Sequence, residues 1–184
     1  MTDKTKLRIV GLCILAAFLL FGGGMTLLAK GHANLGVNLA LLNSVAVVAI
    51  GFLLAPIMAA TGSAHGGTYR AARVVEGAFL AISILVAQSG HELVGLSADT
   101  FYQVAMAALG LGSLPMCLWL VRSTLVPKWI GVLGFIGYLC LILSMIVAAL
   151  GFETASLALL PPGAVFEVIF GGLLLFGFKL HSRI

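Results

Sequence analysis

Arg70, Arg73, Glu76 and Glu167 are ionisable residues set in otherwise apolar runs, residues 68–88 and 161–178. A charge at the centre of a membrane-spanning helix costs roughly 2.5 to 3.5 kcal/mol on insertion scales, so a chain that keeps one pairs it or uses it. Arg73 and Glu76 are three residues apart and share a helix face. Arg70 lies a turn earlier, within reach of headgroups. A helix rises about 1.5 Å per residue, which puts Glu76 about 12 Å into its span. The hydrocarbon half-thickness is about 15 Å. Glu76 must therefore be protonated, paired with Arg73 or facing a wet cavity. Glu167 enters from the other end, about 9 Å past Pro161 by the same rise. It has no cation within a turn and needs a partner from another helix, or a proton.

Asn38, Asn43, Tyr102 and Gln103 fall in the outer halves of neighbouring runs and offer such partners. The expected ligand- or proton-binding set is Arg73, Glu76, Glu167, Asn43, Tyr102 and Gln103. The competing reading makes the same groups a structural ion pair and interhelical hydrogen-bond glue.

Other chemistries find little support. His32, His65, His91 and His181 all sit at membrane edges, so none can hold a haem within the helices. Lys30, Lys128 and Lys179 are also at edges, which excludes a mid-helix retinal lysine. Cys13, Cys117 and Cys140 have neither CxxC nor Cys/His spacing and read as buried small hydrophobes. His91, Glu92, Asp99 and Glu153 could meet as an outer metal site, but wet loop residues account for them better. Ser113 has no histidine at matching depth for a dyad. The stretch TGSAHGG lacks the GK[ST] of a phosphate loop. No catalytic residue, metal or cofactor is expected, and the reading leans away from an enzyme.

The elements that must position these groups follow from composition. The 184 residues are 61% hydrophobic and 9% charged, with a mean hydropathy of +1.19. Soluble domains are about 45–50% apolar and about 25% charged. An all-α polytopic membrane protein is indicated, a single membrane domain over residues 1–184. Six spans are expected at about 9–28, 36–60, 68–88, 99–121, 127–150 and 161–178. The first resembles a signal peptide, but its apolar run exceeds a signal-peptide core and is expected to stay as a span. Ser97 or Asp99 can cap the fourth helix, and Pro127 and Pro161-Pro162 suit first turns. Gly131, Gly134 and Gly137 read as a close-packing series.

With the amino terminus inside, nine of the ten Lys and Arg fall on the cytoplasmic side and only Lys30 outside. Both termini are therefore expected in the cytoplasm. Trp119 and Trp129 are expected at the interface beside Arg122. The net charge of +4 then points to the bilayer and its anionic headgroups, not to nucleic acid. The words VVEGAF and VFEVIF share V-x-E-x-x-F at an offset of 91 positions. A 3+3 inverted repeat with a midplane site would produce such a pair.

Three stretches, YRAARVVEG, LVPKWIGVLGFIG and LPPGAVFEVIFGGLLLFGFK, resemble a family of bacterial multi-pass membrane proteins catalogued as a domain of unknown function. The likeness runs from the second helix to the end, LVPKW being its most specific part. It implies six helices and a bacterial cytoplasmic membrane, and supplies no activity. The family's aromatic-Arg then Glu pattern matches Arg70 or Arg73 with Glu76, and its glutamate after proline matches Glu167 after Pro162. The first outer link is shorter here than is common in that family. Two function classes follow from the residues: a small permease or membrane ligand-binding protein, or a non-catalytic accessory or scaffold subunit of a larger complex. Either allows partner subunits or a homo-oligomer.

Overall fold

The computed structural model describes residues 1–177. It carries six helices long and apolar enough to cross a membrane: α1 (Asp3–Ala29), α2 (Ala33–Ala60), α3 (Gly66–Ser89), α4 (Ala98–Arg122), α5 (Lys128–Ala149) and α6 (Glu153–Phe176). The expected end at Phe178, with Lys179, His181, Ser182 and Arg183, lies outside the described residues.

Several boundaries move for local reasons. α1 starts at Asp3, six residues before its apolar run, because Thr2 caps it by accepting from the Thr5 amide. An Asp3–Lys6 pair at 2.7 Å spans the first turn. Ser97 caps α4. Pro127 is itself the cap of α5 rather than part of its first turn, while Pro161 does open a first turn. α6 is broken, with a short helix Glu153–Leu157 preceding the main Pro161–Phe176 segment. Within α1, residues Phe18–Gly22 are π-helical, just before Gly23 and Gly24.

Each helix packs on its neighbours in chain order, and α1 closes against α6. The six thus form a ring. Its interior is filled by Val10 and Ile14 from α1, Leu54 and Met58 from α2, Met116 and Leu120 from α4, and Phe166 and Phe170 from α6. In lipid there is little hydrophobic drive between helices, so close approach of backbones carries the association. A Cβ on Gly11 would lie 2.5 Å from the Gly171 carbonyl oxygen, and one on Gly24 would lie 2.8 Å from that of Gly36. Those contacts seat α1 on α6 before the π segment and on α2 after it. Gly131, Gly134 and Gly137 are buried in the same manner, facing α4 and α6.

The ring order by itself shows no inverted repeat. One expectation needs correction. Trp119 is buried between helices, its indole Nε1 donating to Thr61 Oγ1 at 2.9 Å, and only Trp129 is exposed as an interfacial ring would be.

Candidate functional site

Tyr69, Arg73 and Glu76 fall on one stripe of α3, at i, i+4 and i+7. All three are buried. Glycine makes room for them: a Cβ on Gly51 of α2 would meet Arg73 Cβ at 2.7 Å, and Gly77 lets α3 close on Ser44 and Val48. Arg73 Nη1 donates to Glu76 Oε2 at 2.9 Å, and its Nε donates to Tyr69 Oη at 3.0 Å. The guanidinium carbon also stands 5.4 Å from the centre of the Tyr69 ring. Arg70 points elsewhere. It is exposed and lies over Phe52 at 5.5 Å, so Arg73 is the inward arginine of the pair.

Glu167 is anchored from a different helix. Tyr138 of α5, fully buried and edge-on to Phe166, donates from Oη to Glu167 Oε1 at 3.0 Å. Among the described residues Glu167 Oε2 has no hydrogen-bond partner. A Tyr138→Phe variant removes the donor while keeping the ring packed. The expected loss is about 1 kcal/mol, read as a small drop in the detergent melting temperature.

Arg73, Glu76 and Glu167 meet at a cavity of about 270 Å³ inside the ring. Asn43 and Tyr102 line it as well, with Phe18 and Phe21 from the π segment and apolar side chains from α1, α2, α3 and α4. Phe21 stacks on Tyr102 with centroids 5.6 Å apart. Asn43 is buried, and among the described residues its Oδ1 has no partner. Gln103 does not line the cavity. Successive helical residues point about 100° apart, so with Tyr102 turned inward its neighbour cannot follow. Asn38 is exposed on α2.

A second, larger cavity of about 650 Å³ opens at the face that carries the amino terminus, lined by Asp3, Thr61, His65, Trp119 and Arg122 among others. Val10 and Leu54, both fully buried, lie between the two cavities along α1 and α2. His91, Glu92, Asp99 and Glu153 do not gather: among the described residues no three His, Cys, Asp or Glu come together as a metal site would require.

Sequence reasoning missed three contributors. Tyr138 and Tyr69 carried a signal, since a tyrosine in mid-span must find a hydrogen-bond partner. The π segment was signalled only by the Gly22-Gly23-Gly24 interruption. Single π turns inside helices occur often at functional sites.

Helices throughout the described span, closed as a ring around a cavity that holds two carboxylates and an arginine, define a polytopic membrane protein with a polar interior. The chain belongs to the family described as Domain of unknown function (DUF4386), whose model matches residues 9–177. No curated protein and no solved structure matches it.

Proposed function

We propose that this protein is a small permease or membrane ligand-binding protein of the bacterial cytoplasmic membrane, with both termini cytoplasmic. The supporting observation is one cavity that collects Arg73, Glu76, Glu167, Asn43 and Tyr102 from four helices and leaves polar atoms unpartnered. Packing glue satisfies its polar atoms within the protein; a binding site leaves them for a ligand. The larger cavity at the amino-terminal face is a separate space, with the buried Val10 and Leu54 between the two. The scaffold reading draws on the Arg73–Glu76 pair, which is closed on itself, and on the Tyr138–Glu167 hydrogen bond between α5 and α6.

The test is water access. In a background with the native cysteines replaced by alanine, a cysteine at Met106, which lines the cavity, reacts with a small water-soluble methanethiosulfonate. A cysteine at Met116, in the packed interior, does not. Equal protection of both positions counts against a binding cavity.

Orientation is tested in the same background. Cysteines at Ser63 and Ser123 label from the cytoplasm only, and those at Ala33, Ser97 and Thr154 from outside only. The reverse pattern would invert the protein and place its basic face outside.

A further inference from the structure

We infer that the cavity takes a small organic monocation, an ammonium carrying an apolar body, with Glu167 as its counter-charge. This rests on the reading of the cavity as a ligand site and names the class of ligand. Among the described residues that line it there are two carboxylates and one cation. The cation is already committed: Arg73 is bound to Glu76 and to Tyr69. Among the described residues Glu167 is left with a neutral hydroxyl as its only partner. Buried charge is tolerated when paired, so an ionised Glu167 calls for one further positive charge in the cavity.

Two polar atoms at the cavity point the same way. Among the described residues Glu167 Oε2 and Asn43 Oδ1 are unpartnered acceptors, which suit a donor-bearing ligand. An anion would face both carboxylates with no free cation to receive it. The rest of the lining is apolar or aromatic, with Phe18, Phe21 and Tyr102 available to pack on a hydrocarbon body or attract an ammonium through their rings. The volume of about 270 Å³ lies just below the roughly 300–1,000 Å³ of pockets that hold drug-sized molecules. The ligand is therefore small.

The experiment is calorimetric titration of the full chain in lipid nanodiscs at neutral pH. Three probes share one hydrocarbon body: phenethylammonium, neutral 2-phenylethanol and anionic phenylacetate. Phenethylammonium is expected to bind at least tenfold more tightly than either of the others. Glu167→Gln should weaken it at least tenfold, and Asn43→Leu several-fold. A Glu92→Gln variant, changed in an exposed link, should leave it unaltered. Asn43→Leu keeps the proposal testable if Glu167→Gln fails to fold. Binding that ignores Glu167→Gln overturns the proposal, as does displacement by an equal concentration of sodium, which would make the site one for an inorganic ion. Tighter binding of phenylacetate or 2-phenylethanol overturns the ammonium assignment and leaves the binding cavity standing. Absence of binding by all three, together with protection of the cysteine at position 106, removes both.

Discussion

Glu76→Gln is expected to destabilise the protein severely, and Arg73→Met combined with Glu76→Gln to recover much of the loss. Both side chains are almost wholly buried, at 3% and 2% exposure, and bound at 2.9 Å. Removing one partner of a buried pair costs about 3 to 5 kcal/mol, because the survivor is left charged and uncompensated. The glutamine keeps a hydrogen bond to the guanidinium but cannot balance it. Tyr69 accepts from Arg73 without supplying charge. Removing both charges ends the imbalance, which is why the double variant recovers. Thermal unfolding in detergent across pH 5 to 8 separates the cases. A Glu76→Gln protein as stable as the native one would mean that Arg73 finds its balance elsewhere, with Glu167 the carboxylate sharing its cavity.

Gly11→Leu should have the second large effect. A Cβ there would stand 2.5 Å from the Gly171 carbonyl oxygen and 2.7 Å from the Leu175 nitrogen. Backbone atoms cannot rotate aside as a side chain can, so α1 must move off α6. Overpacking usually costs about 1–3 kcal/mol. A leucine against backbone in a ring closed at this one seam is expected at the upper end, with the cavity opened as α1 shifts. Gly23→Leu is the control, since its Cβ would meet nothing within 4 Å. Melting temperatures should fall for the first and hold for the second. Equal stability of the two would mean that α1 does not seat on α6 through Gly11.

The membrane-spanning architecture was legible because lipid imposes a strong rule: about 20 consecutive apolar residues per helix. Runs of that length are visible without knowing their neighbours. Arg73, Glu76 and Glu167 stood out for the same reason, since charge in such a run is costly. What could not be read was rotation. Whether Tyr102 or Gln103 turns inward depends on how α4 packs, and both are polar residues at the same depth. The ring order was equally hidden, because apolar words such as VVEGAF and VFEVIF carry no record of which helices touch. Trp119 was misplaced by the same blindness: an indole near a helix end suits an interface, unless a hydroxyl such as that of Thr61, at the end of α2, lies within reach. The start of α1 moved for a purely local reason, the Thr2 cap, which is visible once capping is weighed beside hydropathy.

The central claim is that the ring encloses a binding site held by Glu167, and native mass spectrometry tests it most directly. The native protein and Glu167→Gln are released from nanodiscs under the same gentle conditions. The account predicts a bound small molecule on the native protein, with the adduct lost from Glu167→Gln while the variant remains folded and monodisperse. A native protein that flies bare, beside a Glu167→Gln protein changed only in melting temperature, would contradict it and leave Glu167 as a hydrogen bond between α5 and α6.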